Sequence, residues 1–151
     1  PDDFLETLGA ELGVVWRWNE FKYFFGYTHA DVKEHTETRV RMAPLMPKDR
    51  VNNVFVYERE DDFRIGLEAY YYGRQGLTDG SMARDFWIFG LMMEKRIDED
   101  FLVFLNFENF SDTRQTRFGS IYTGSRLNPI FADIFAPLDG SVINGGIKIR
   151  L

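Results

Sequence analysis

Asp112, Arg114, Arg117, Tyr122, Arg126, Asn128 and Asp133 crowd one stretch of the chain between Asn109 and Gly140. Guanidinium and phenol groups are hydrogen-bond donors, and charge-assisted bonds to anionic oxygens are the strong ones. Arg114, Arg117, Tyr122, Arg126 and Asn128 could together hold an anionic, oxygen-rich ligand. The competing reading is that these side chains pair with one another and with neighbouring loops, and only order a rim. For any one of them that second reading is preferred. For the stretch as a whole both stay open, because binding residues concentrate on loops.

Two further groups could do chemistry. His29 and His35 flank Asp31 and Glu34, and imidazole with carboxylate can bind a transition metal. Their spacing matches no metal motif, so they are expected to be solvated and no metal is assigned. Arg17, Lys22, Arg64, Glu68, Glu94, Asn106, Glu108, Lys148 and Arg150 each occupy the polar phase of an alternating segment. They could line an interior space, with salt bridges from Glu68, Glu94 and Glu108 to Arg64 and Lys148. No Ser-His-Asp arrangement and no phosphate-binding glycine loop is present, and Cys is absent. No catalytic residue and no cofactor is assigned. Asn109-Phe110-Ser111 fits a glycosylation sequon, a tripeptide that arises often by chance.

What positions these groups is a strand pattern. Successive side chains of a strand point to opposite faces. From Val142 to Leu151, Ile143, Gly145, Ile147, Ile149 and Leu151 take one face, and Asn144, Lys148 and Arg150 the other. About ten such residues, tilted about 45°, cross a bilayer core. The same alternation predicts strands over 8–18, 21–28, 51–58, 63–72, 85–96 and 101–108. Asn19-Glu20, the run 59–62 and the run 97–100 are short turns. The segments 29–50, 73–84 and 109–140 read as long loops. Short and long connections thus alternate, as periplasmic turns and extracellular loops do in outer-membrane barrels.

Aromatic placement agrees. Phe63 and Tyr71 share a face eight residues apart, roughly 20 Å along the membrane normal at ordinary strand rise and tilt. Trp16, Trp18, Phe21, Tyr57, Phe63 and Phe101 would form one girdle, with Tyr27, Tyr71 and Trp87 near the other. Composition fits as well. Aromatics are 17% of the chain, with 15 Phe and 7 Tyr, at a mean hydropathy of −0.31. The 24 acidic and 18 basic residues give a net charge of −6, which argues against a nucleic-acid partner. No run approaches the roughly 18 apolar residues of a transmembrane helix. The count of about seven strands is odd, whereas single-chain bacterial barrels are even. Two unpaired edges would also be left in hydrocarbon. The expectation is therefore an all-β, antiparallel, up-and-down transmembrane barrel of which these are about seven C-terminal strands.

Several segments resemble the C-terminal barrel region of TonB-dependent outer-membrane receptors, particularly the Bacteroidota type. They are PLMPKDRVNNVFVYE from Pro44, IGLEAYYYGRQ from Ile65, FWIFGLMMEKR from Phe86, FLNFENFSDTRQTRFGSIYTG from Phe104 and NPIFADIFAPLDGSVINGGIKIRL from Asn128. The resemblance covers nearly the whole chain. It implies that residues 1–151 belong to a plugged barrel of about 22 strands. It also implies location in the bacterial outer membrane and energised uptake of a scarce nutrient such as a ferric siderophore. The implied partners are outer-membrane lipid, the TonB energy-transducing complex acting through a plug absent from this chain, and a small-molecule or metal-chelate substrate. The chain departs from the pattern in ending on Leu151, where many outer-membrane proteins end in Phe. Two rivals stand beside this reading. One is a small structural or adhesive outer-membrane barrel with an overlooked strand. The other is a soluble barrel enclosing a lipophilic ligand, with its apolar faces turned inward.

Overall fold

The computed structural model describes residues 3–150. Seven strands form a meander of antiparallel neighbours: β1 (Phe4–Trp18), β2 (Phe21–His35), β4 (Asp49–Arg59), β5 (Phe63–Tyr72), β6 (Phe86–Arg96), β7 (Phe101–Glu108) and β10 (Val142–Ile149). The short β3 (Val40–Met42) pairs with the far end of β2, making an eight-stranded sheet. A separate hairpin, β8 (Tyr122–Ser125) with β9 (Asn128–Phe131), lies in the last long connection. The sheet is open. Among the described residues, β1 bonds only to β2, and β10 only to β7. The fold is all-β and antiparallel, and is that of a barrel portion whose two edges do not meet.

Register carries one face across the whole sheet. Directly opposed residues share a face, and one row of such partners runs Trp16, Tyr23, Phe55, Leu67, Leu91, Phe107, Ile143. The next row, Arg17, Lys22, Val56, Gly66, Met92, Asn106, Asn144, belongs to the other face. A one-residue slip in any pairing would break both rows. The three short turns lie at one edge of the sheet and the three long connections at the other. Asn19 and Asp61 enter the left-handed region, with φ of 51° and 57°, a conformation these side chains tolerate better than most.

No dry centre exists among the described residues. The buried apolar side chains are Ala43, Ala83, Phe86 and Ala136, whereas Leu67 and Ile147 are 45% and 60% exposed. A soluble barrel with a lipophilic interior needs the opposite arrangement. Exposed apolar surface on this scale demands a covering phase or partner.

Three expectations are corrected. The first strand begins at Phe4, and the second continues to His35 rather than giving way to a loop at His29. The reason is the partner strand: residues 4–10 pair with 29–35 in unbroken register, and backbone ladder bonds do not depend on side-chain polarity. β3, β8 and β9 form inside segments read as loops. The terminal strand ends at Ile149, with the Arg150 N–H bonded to the Asp100 carbonyl at 2.9 Å. The expectation for Leu151 lies outside the described residues.

Candidate ligand-binding rim and the polar face beneath it

The loop from Asn109 to Ser141 is organised by two buried amides. Asn109 sits at φ 47°. Its side chain accepts from the Thr113 N–H (3.0 Å) and donates to the Thr113 carbonyl (2.7 Å). The Ser141 hydroxyl donates to the Asn109 carbonyl at 2.8 Å. Gln115, 2% exposed, opens a single 3-10 turn (Gln115–Arg117). Its Oε1 accepts from the N–H groups of Phe135 (3.2 Å) and Ala136 (3.1 Å), and its Nε2 donates to the Asp133 carbonyl (3.1 Å). Phe118 and Phe135 then pack on Phe86, with ring centroids 6.0 and 6.5 Å away. Phe86 stacks on Tyr72 at 5.1 Å, and both belong to the polar face by register. The loop therefore folds over that face.

The three long connections are joined. Thr78 donates to Asp133 Oδ2 from both its N–H (2.6 Å) and its hydroxyl (2.9 Å). Gln75 Nε2 donates to the Phe135 carbonyl at 3.2 Å, and the Leu45 N–H bonds the Gly76 carbonyl at 2.9 Å. Loops held this way present a pre-ordered rim.

Arg114 and Arg117 meet on one carboxylate. Arg117 donates to Asp112, and the Arg114 guanidinium lies 3.3 Å from the same Oδ2. Two cations on one anion leave positive charge at the rim, with both side chains about half exposed. Tyr122, Arg126 and Asn128 are not part of this cluster. Tyr122 faces Phe131 in the β8–β9 hairpin, Arg126 occupies its turn, and the Asn128 N–H donates to Ser125 Oγ at 3.1 Å. Asp133 is engaged by Thr78. Gln115, Gln75, Phe118 and Phe135, which hold the rim together, carry no sequence signal that separates them from solvated loop residues.

On the polar face, Arg17, Lys22, Arg64, Glu94 and Lys148 occupy the half nearer the short turns, while Glu68 and Glu108 lie nearer the rim. The pairing differs from expectation. Glu58, which carries no sequence sign of an ion pair, takes both Lys22 (2.5 Å) and Arg64, because it lies directly across from Arg64 and diagonally from Lys22, whose own partner is Val56. Glu94 stands directly across from Arg64. Glu108 accepts from Asn144, which in turn accepts from Asn106 at 3.1 Å. A concavity of about 390 Å³ opens here, bordered by Glu68, Tyr70, Gly90, Met92, Asn106 and Glu108. A Cβ at Gly90 would stand 3.2 Å from Glu68 Oε2, so glycine leaves room for that carboxylate.

The histidines are not simply solvated. His29 Nδ1 bonds Asp49 at 2.8 Å, and the same carboxylate accepts from Tyr27 at 2.7 Å. His35 bonds Glu6 at 2.7 Å and stacks on Phe4 at 4.4 Å. Among the described residues no three His, Asp or Glu side chains converge as metal ligands.

In the turn after β4, Asp62 accepts from Lys95 and lies 3.7 Å from Arg59. The Lys95 hydrogen bond, helped by the charges of Lys95 and Arg59, holds the Asp62 carboxyl below its ordinary 3.8. A depressed carboxyl adds stability that is present above the ordinary value and disappears as pH falls through the folded one. The Arg96 N–H bonds the Asp62 carbonyl at 2.7 Å. Its protection from exchange, corrected for intrinsic rate, should therefore fall below pH 3.8. In Asp62→Asn the protection should be independent of pH across that range.

The sheet is similar to part of a solved import receptor. That structure is the ferric-catecholate import receptor Fiu from E. coli K12 in its closed form, with a TM-score of 0.67 at 14% identity. The match covers 97% of this chain and 21% of the receptor, so the chain spans about a fifth of that protein's length. The likeness is one of fold. No protein-family model matches the chain, and no curated protein matches it.

Proposed function

We propose that residues 1–151 are a C-terminal portion of the wall and rim of a TonB-dependent transport barrel in the bacterial outer membrane. Its cargo is an anionic, oxygen-rich metal chelate such as a ferric siderophore. The observation that carries this reading is the apolar face, continuous over seven strands in register, with charge confined largely to the opposite face. Lipid covers the first, and the second borders an interior that a plug domain occupies. The open edges support a larger sheet, since unpaired strand edges are not tolerated in hydrocarbon. The likeness to an import receptor agrees. Capture falls to the rim, where Arg114 and Arg117 supply donors for anionic oxygens, with Tyr122, Arg126 and Asn128 on the adjoining hairpin. The polar face guides or seals, and energy arrives through the plug.

The test uses the full-length protein in its own cells. It should fractionate with the outer membrane, and deleting its gene should remove growth on a ferric catecholate as sole iron source. Arg114→Ala with Arg117→Ala should raise the half-saturating chelate concentration about tenfold, the scale of one lost charge-assisted hydrogen bond. The maximal uptake rate should change little. Unaltered uptake in the deletion strain would refute the cargo, and a soluble full-length protein would refute the reading entirely.

A further inference from the structure

The short-turn edge of the apolar face carries a feature that transport does not use. Arg59, Phe63 and Lys95 are successive partners in register across β4, β5 and β6, so their side chains lie side by side on that face. Phe63 forms the middle. Its ring packs 5.4 Å from Tyr57, and the Lys95 ammonium stands 5.9 Å from its centroid. Both cations share the single carboxylate of Asp62. Lys95 spends one donor there. Arg59 reaches it only at 3.7 Å and donates no hydrogen bond among the described residues. Arg59 and Lys95 remain 65% and 54% exposed. The neighbouring Asp61 is taken by Arg96, which belongs to the other face.

We infer that Arg59 and Lys95, with Phe63 between them, form a binding site for the phosphate of an anionic phospholipid in the adjoining leaflet. The inference rests on the membrane reading above, since it needs the apolar face to meet lipid. The chemistry fits the position. A guanidinium offers a planar fork to phosphate oxygens, and an ammonium adds a point charge. The apolar row beginning at Ile65 and Leu67 on β5 continues from Phe63 toward the bilayer centre, where it meets acyl chains. Aromatic side chains and long cations are favoured where headgroups meet hydrocarbon. Asp62 cancels only one of the two charges. Glu60, in the same turn, and Asp98, Glu99 and Asp100, in the turn after β6, make no ion pair among the described residues and are the opposing charges nearby in the chain.

The full-length protein is reconstituted in nanodiscs of phosphatidylcholine with a minor share of phosphatidylglycerol, then extracted into mild detergent. Retained lipids are quantified by mass spectrometry. Phosphatidylglycerol should be enriched about fivefold over its share of the bilayer, the effect of one uncancelled cation at an anionic surface. Arg59→Gln with Lys95→Gln should abolish the enrichment, and Arg59→Gln alone should reduce it should the double variant not fold. Asp62→Asn should raise it, which loss of a merely structural ion pair would not do. Lipid retained in the bilayer ratio by the wild type, or enrichment lowered in Asp62→Asn, overturns the proposal. So does displacement of phosphatidylglycerol by millimolar inorganic phosphate, which would mark a site for the free ion. A protein that needs no detergent fails the membrane reading instead, so the two failures are distinct.

Discussion

Leu67→Arg is expected to destabilise the assembled protein by about 2–4 kcal/mol, the measured range for a cation facing the bilayer midplane of a barrel. Leu67 is midway along β5, with Phe55 and Leu91 as its direct partners. No residue next to it in that row can neutralise a guanidinium, and in the membrane proposed above the side chain would be too far from either headgroup region to reach water without bending the strand. The adjacent residue provides the control. Glu68 faces the other way and already carries charge beside the open concavity. Glu68→Arg should therefore change stability by less than about 1 kcal/mol, the scale of an exposed charge pair gained or lost. Unfolding of the full-length protein in lipid vesicles with urea reads both. An outcome in which Glu68→Arg unfolds the protein while Leu67→Arg is tolerated would invert the assignment of faces.

That pair of substitutions also marks what was legible in the sequence. β5 and β7 have the predicted bounds because alternation there is nearly strict and a charged turn stands at one end of each. The alternation of long and short connections was readable from the same pattern. The upper half of β2 was not, because His29–His35 carries His, Asp, Lys and Glu and looks like a loop. Its strand character comes from β1, through pairs such as Phe4 with His35. The β8–β9 hairpin lacks alternation and contains Pro129, which removes a ladder donor. At the site, residue types identified the arginines of the rim, but not that Asp112 gathers two of them and leaves Arg126 apart. Nothing in the sequence marks Glu58 as the partner of Lys22 and Arg64, because ion pairing depends on the register between strands, and Lys22 lies 36 residues away.

The rim depends most on Gln115, a residue whose type suggests nothing but solvent. Its amide satisfies the N–H groups of Phe135 and Ala136 and the carbonyl of Asp133. Gln115→Leu keeps the volume and strands those three backbone groups. Each buried group left unpaired costs about 1–3 kcal/mol, so the local loss should exceed roughly 3 kcal/mol. The sheet should stand, since none of its ladder bonds involves residue 115. The damage should stay in the loop: Phe135 and Ala136 amides should exchange at least about a hundredfold faster, as 3 kcal/mol of lost protection requires. Phe135 would then leave Phe86, and the Thr78–Asp133 tether would lose its fixed end. Because Arg117 closes the turn that Gln115 opens, the arginine cluster should scatter too. If the rim captures a chelate as proposed, affinity should thus fall in a variant that removes none of the proposed ligand-contacting groups. Gln115→Glu, which retains both acceptor bonds but cannot donate to Asp133, should recover part of the Phe135 and Ala136 protection. Equal exchange in Gln115→Leu and the wild type would mean that the aromatic packing of Phe86, Phe118 and Phe135 orders the rim without the amide.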